Sequence, residues 1–360
     1  MNVAWKILAG AVALVVVVLI GAAITIATVD VNTLIGPVKA RVLALTGRDL
    51  TVNGEANLTF SLEPKLVLRD VTLANAPWGT APSLLSAKRL ELQIALMPLL
   101  SRKFEVIELA LIDPVIALET DSAGHGNWDL SVASAATNTA AGAGMATPTP
   151  AIGNFSITGG TLTFRDARSG HQTLIAIDTL ALRSRDAQAP IAAQFRGKVD
   201  DVTVALEGTL GPLESLIQQR WPYPVTLKGK IEGRQVDVAT KVTKNNTTYV
   251  LDDLDLHFGA NTVAGKFSVI TGGVRPKLVF ELATAALAMA DLPLGTAATP
   301  AASAVVADRR GRTFADTPVD FSLLRAVDMD GRISIGKLTL LNGGVLGDVK
   351  MQLALAAGRL

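Results

Sequence analysis

The chain has no cysteine. That excludes disulfides, thiolate metal sites and cysteine nucleophiles. Histidine is almost as scarce: His125, His171 and His257 are the three in 360 residues, and none stands at a metal-like spacing from another. Aromatics make up 4% of a sequence that is 49% hydrophobic, so the apolar content is aliphatic. An excess of one charge is missing too. Thirty-three basic residues against 32 acidic leave +1, which gives no electrostatic footprint for nucleic acid.

Catalytic motifs are absent as well. Gly331-Arg332-Ile333-Ser334-Ile335-Gly336-Lys337 has phosphate-loop glycine spacing, but Leu338 stands where a Ser or Thr would hold magnesium, and the residues between alternate like a strand. Asp328-Met329-Asp330-Gly331 opens like a calcium loop without the later ligands and reads as a hairpin turn. Asp252, Asp253 and Asp255 read as a solvated strand edge, and His125 as a solvated loop residue. The expectation is a protein that is not an enzyme and carries no cofactor or metal.

What the chain does have is one long apolar run. Ile7–Val29 holds 23 residues without a charge, where a bilayer core needs about 20 helical residues. A cleaved signal peptide is the alternative, but its apolar region is shorter, roughly 7–15 residues, and ends in a small-x-small site. Lys6 precedes the run and Asp30 follows it, so the N-terminus is expected to stay in the cytoplasm. The expectation is a single-pass anchor over residues 1–30 and an exported body.

A short helix should follow, with Pro37 at its first turn and Gly47 just past its end. It can cap the first strands, which we favour, or lie on the membrane surface. From Leu50 the apolar period changes from 3.6 to 2. Leu58, Leu62, Leu66 and Leu68 alternate with polar residues; Val71 and Leu73 continue on shifted parity past Asp70, which suggests a β-bulge. Leu90, Leu92, Ile94 and Leu96 share one face, as do Ile107, Leu109 and Leu111. About sixteen such strands run to the end. Most are joined by turns such as Asp330-Gly331 and Asn342-Gly343, which predicts antiparallel neighbours. Pro212–Arg220 reads as a short helix. Low-complexity stretches divide the chain into a β region with one helix at 31–131, a linker at 132–151, further strands at 152–283, a loop at 284–318 and last strands at 319–360. The last strand has no polar cap after it, so the sequence reads as a fragment or as a short relative of longer chains. An apolar sheet face must be covered. A sandwich, a barrel, or an open trough filled by acyl chains would each do so, and the pattern does not choose.

The segments Thr46-Gly47-Arg48-Asp49-Leu50-Thr51-Val52-Asn53-Gly54 and Leu62–Asn75 (LEPKLVLRDVTLAN) resemble the opening of the AsmA family of bacterial envelope proteins. Leu96-Met97-Pro98-Leu99-Leu100, Gly124-His125-Gly126-Asn127-Trp128 and Phe155-Ser156-Ile157-Thr158-Gly159-Gly160 fit it in the same order. The resemblance implies a mainly β fold: an N-terminal transmembrane helix, then a long curled antiparallel sheet forming an open apolar groove. It implies inner-membrane anchoring, a periplasmic body and phospholipid acyl chains as ligand. Leu90, Leu92, Ile94, Leu96, Ile107, Leu109 and Leu111 would line the groove. The implied function is phospholipid transport or lipid homeostasis between inner and outer membranes. The alternative is an assembly factor whose sheet edges pair with an outer-membrane barrel or other envelope proteins.

Overall fold

A computed structural model of the chain describes residues 31–97 except 60 and 62, 105–129, 151–289 except 169, 272 and 274, and 327–356. The expected anchor and most of both low-complexity segments lie outside these residues. Among the described residues, no helix is long and apolar enough to cross a membrane. The fold is mainly β, an open sheet of sixteen strands whose order follows the chain except that β2 pairs with β3 off the main path. The chain divides into two compact units, residues 1–189 with 193–202, and 190–192 with 203–360.

The first unit opens with α1 (Val31–Thr46). Pro37 lies inside this helix, not at its first turn. Gly47 ends it as expected, with φ at +66° and its N–H donating to the Leu43 carbonyl at 2.8 Å. The helix rests on β1 (Leu50–Val52) and β2 (Ala56–Thr59), so it caps the first strands. Then come β3 (Lys65–Ala74), β4 (Ser83–Ile94), β5 (Glu105–Thr120), β6 (Ala151–Asp166), β7 (Gln172–Arg183) and β8 (Pro190–Val199). Neighbours are antiparallel except β5 and β6, which run parallel across the segment 130–150.

The parity change at Asp70 is not a bulge. Arg69 pairs with Arg89 and Val71 with Ala87, two residues against two. The neighbouring strands make the same change at the same height. Each has two successive residues between its apolar positions: Arg69 and Asp70, Lys88 and Arg89, Ile112 and Asp113, Thr158 and Gly159, Asp178 and Thr179. Asp70, Asp113 and Gly159 make the step with positive φ, 50°, 49° and 67°. Asp tolerates that conformation better than most residues, and Gly without cost. A polar line therefore crosses the sheet, pinned by Lys88–Asp113 at 3.0 Å, and the apolar residues stay on one face above and below it.

The second unit contains β9 (Val202–Pro212), α2 (Leu213–Ile217), β10 (Tyr223–Ile231), β11 (Arg234–Asn245), β12 (Thr248–Phe258), β13 (Asn261–Ile270), β14 (Lys277–Ala288), β15 (Asp328–Thr339) and β16 (Val345–Leu355). β14 therefore extends through the first residues of the stretch expected as a loop from 284. Again one pair is parallel, β14 with β15. Asp330 and Gly331 are not a turn; they lie within β15. Asn342-Gly343 does turn the chain between β15 and β16, with Gly343 at φ +81°. A bulge does lie at Asp253 (φ +51°), where Asp253 and Leu254 of β12 oppose Thr240 of β11. β12 is an internal strand, so Asp252, Asp253 and Asp255 are not an edge. Asp252 pairs with Lys266 at 2.8 Å, Asp253 with Lys241 at 2.9 Å and Asp255 with His257 at 3.3 Å. The Lys266 hydrogen bond holds the Asp252 carboxyl below its ordinary pKa.

Candidate functional site

Alternation puts every second side chain of a strand on one face, and register decides which residues of adjacent strands meet. In the first unit the registers join aliphatic residues into rungs that run across the strands. One rung is Leu58, Leu66, Leu92, Leu109, Phe155 and Leu182. The next is Ala56, Leu68, Leu90, Leu111, Ile157 and Leu180. Beyond the polar line a third joins Leu50, Leu73, Leu85, Ile116, Leu162 and Ile175. Ala87, Leu111, Ile157 and Ile177 are the buried centre of this surface.

Among the described residues, the substantial contacts between elements run only between sheet neighbours and from α1 to β1 and β2. No second sheet and no helix is packed over the rungs. The unit is a single layer with an apolar face, which rules out the closed sandwich that the pattern alone left open. The opposite face is polar. Lys65 bridges Glu91 at 2.6 Å and Glu108 at 3.7 Å, and the hydrogen bond to Glu91 raises the Lys65 pKa.

Of the residues expected to line a groove, Leu90, Leu92, Leu109 and Leu111 come together as two adjacent rungs. Ile94 ends β4 beyond a register shift and is aligned with buried Val106. The register steps over Ile107, because Gln93 pairs with Glu108 and Ile94 with Val106. Leu96 falls after the end of β4. Sequence reasoning missed Phe155, Ile157, Leu180 and Leu182 as rung partners. Their alternation was visible, but the pairing of β5 with β6 across a long linker was not.

The second unit repeats the surface. Leu251, Phe267, Phe280, Gly331 and Leu353 form one rung, and Leu254, Gly265, Leu282, Ile333 and Met351 another. Phe267 and Phe280 stack with centroids 6.2 Å apart. A Cβ on Gly331 would stand 2.2 Å from the Phe280 ring, so the glycine makes room for the aromatic pair.

One end of the first unit is closed by a buried polar brace. Glu119 at the end of β5 is 6% exposed and Asn127 fully buried. The Glu119 carboxylate accepts from Asn75 Nδ2 at 2.9 Å, from the Thr80 N–H at 2.8 Å and from the Thr80 hydroxyl. Asn127 donates to Asn75 Oδ1 and the Ala117 carbonyl, each at 2.8 Å, and accepts from the Glu119 N–H at 3.0 Å. Arg48 donates to the carbonyls of Asn75 at 3.4 Å and Asn127 at 3.5 Å. Burial pushes the Glu119 pKa up, but the hydrogen bonds from Thr80, Asn75 and the Ala81 N–H together outweigh it and hold it below the ordinary value. His125, exposed on the rim, bonds half-buried Asp121 at 3.0 Å. This is a structural network: among the described residues no group of three or more His, Asp or Glu is placed to hold a metal.

The brace brings together Arg48, Asn75 and Asn127, which come from three separate sequence segments. No curated protein matches the chain. No solved structure matches it. The sequence profile of the AsmA family matches residues 1–219, which takes in the helix, the brace and every rung of the first unit. On that match, which spans more than half of its length, the chain belongs to the AsmA family.

Proposed function

We propose that the protein is a membrane-anchored, periplasmic lipid carrier, held in the inner membrane by Ile7–Val29. Its apolar rungs bind phospholipid acyl chains for transport or lipid balance between inner and outer membranes. It does no covalent chemistry. The observation that carries this reading is the single-layered apolar face: aliphatic rungs continuous over six strands, with no layer above them among the described residues. Such a surface in water is costly, at about 25 cal/mol per Å², and an acyl chain lying along a rung removes the cost while leaving the headgroup free. Family membership agrees with it.

The test is a pair of substitutions. Leu109, half-buried at the middle of a rung, becomes Asp; Thr158, exposed on the polar face, becomes Asp. A carboxylate among acyl chains is unsolvated or forced to stay protonated. Leu109→Asp is expected to lower co-purified phospholipid several-fold with the melting temperature largely kept, while Thr158→Asp changes neither. A folded Leu109→Asp protein with undiminished lipid would exclude this face as the carrier surface.

A second reading, assembly of outer-membrane proteins, draws on β16. Val345, Leu346 and Met351 are 55%, 48% and 40% exposed there, and among the described residues no strand pairs with its outer edge. Such an edge can accept a client strand. A photocrosslinker at Lys350 that captures a barrel protein in cells would favour it.

A further inference from the structure

We propose that the end of the first unit carrying the polar brace is a membrane-docking surface. Trp78 and Trp128 would sit in the headgroup region of the bilayer that holds the anchor. The proposal rests on the anchored reading above and goes beyond it by assigning the contact.

The chain has four tryptophans, and these two are exposed by 41% and 46% in spite of their size. They lie on different loops, 75–82 and 121–129, that the brace locks together through Asn75 and Asn127. Trp128 is propped by Phe164, with centroids 6.1 Å apart. Large exposed aromatics on braced loops are rigid and amphipathic, the chemistry of residues that settle at a membrane–water interface.

Three further observations point to a bilayer as the occupant. The helix whose C-terminal end leads into Arg48 of the brace follows in the sequence, after Asp30, on the uncharged run Ile7–Val29. Among the helix residues whose exposure is described, the exposed ones are Gly36, Val38, Ala40, Leu43 and Ala44, none charged, while Lys39 is half-buried. Three arginines bind the two loops: Arg48 spans both, Arg165 donates to Thr80 at 2.9 Å and Arg168 to the Ser122 carbonyl at 3.3 Å. Of the nearby carboxylates, Glu119 is engaged by the brace, Asp121 by His125 and Asp166 by the Thr120 hydroxyl, while Asp49 and Asp129 stand exposed next to Arg48 and Trp128. Exposed indole rings and arginines at one end of the unit suit a lipid headgroup layer. Docked in this way, the rungs begin at the membrane from which lipid would be drawn.

The experiment uses the full chain in vesicles of phosphatidylethanolamine and phosphatidylglycerol containing lipid brominated on its acyl chains. Three of the four tryptophans are changed to Phe at a time. The chains retaining only Trp78 or only Trp128 are expected to lose emission about twofold, and the chain retaining only Trp221 to lose little. Bromolipid bound on the rungs could also quench, so each is repeated with Leu109→Asp. Quenching that persists there supports docking, and quenching that vanishes assigns the effect to carried lipid and overturns the proposal. Should that variant fail to fold, aqueous iodide gives the readout. Trp78 and Trp128 should be shielded in vesicles relative to detergent, and equal iodide quenching overturns docking. No quenching by bromolipid alongside normal lipid co-purification would remove the docking surface and leave the carrier reading standing.

Discussion

Glu119 accepts four donors inside the brace, three N–H groups at Oε2 and the Thr80 hydroxyl at Oε1. A Gln keeps one acceptor oxygen, so its NH2 must face either the N–H groups or the Thr80 hydroxyl, which then loses its acceptor and already accepts from Arg165. Leaving such donors unpaired costs about 1–3 kcal/mol, so Glu119→Gln should lower the melting temperature at neutral pH. The folded-state pKa of Glu119 is depressed. Its contribution is therefore present above the unfolded value, near 4.3, and is lost as pH falls through the folded value. Melts at pH 7.5 and at pH 4 should show the gap between wild type and Glu119→Gln narrowing in acid; a constant gap would mean the carboxylate charge does not stabilise this end. Glu119 itself was invisible in the sequence, an acid in an alternating strand like any other. Only the fold brings Asn75, Thr80 and Asn127 around it. Asn127 was legible as part of a motif, but its role was not.

At the scale of elements, the two parallel pairs impose different demands on their crossovers. β6 starts level with the start of β5, since Ala151 aligns with Glu105 and Asp166 with Thr120. The loop 121–129 stays at the far end, so residues 130–150 must return most of the strand length, about 45 Å at ~3.3 Å per residue. Roughly 20 residues can reach about 70 Å, but ten can reach only about 35 Å. Between β14 and β15, residues 289–327 need to cover only about 40 Å. Deleting twelve residues within 130–150 should thus break the β5–β6 pairing and abolish a cooperative melt, whereas deleting twenty within 290–326 should leave one. A normal melt from the shorter crossover would contradict the register. The two-residue step is also an element-scale feature with a repeat. In β14, β15 and β16 the pairs Ala285 and Ala286, Gly336 and Lys337, and Gly347 and Asp348 make the same two-residue step. From the sequence, the step at Asp70 looked like a defect of one strand. Its neighbours make the matching step, so each strand keeps its apolar residues on the same face and register is kept.

For the whole molecule, the anchored reading makes a prediction about sides. Lys6 and Asp30 flank the apolar run, so a phosphatase joined after Leu360 should be active in the periplasm, while a reporter active only in the cytoplasm should stay silent. The opposite result would reverse the topology. Composition and period determined much at this scale. Missing cysteine excluded thiols and disulfides, alternation marked about sixteen strands, and the Gly47-Arg48, Asn75 and Asn127 segments carried the family. These are local properties, and local spacing along the chain records them. The tertiary structure decided which strands run parallel, that Asp330-Gly331 lies in a strand, that Val106 takes the place of Ile107, and that among the described residues the aliphatic face has no layer above it. Each of these depends on register between strands far apart in the chain. Register is set by many cross-strand contacts acting together, and no stretch of sequence contains both partners.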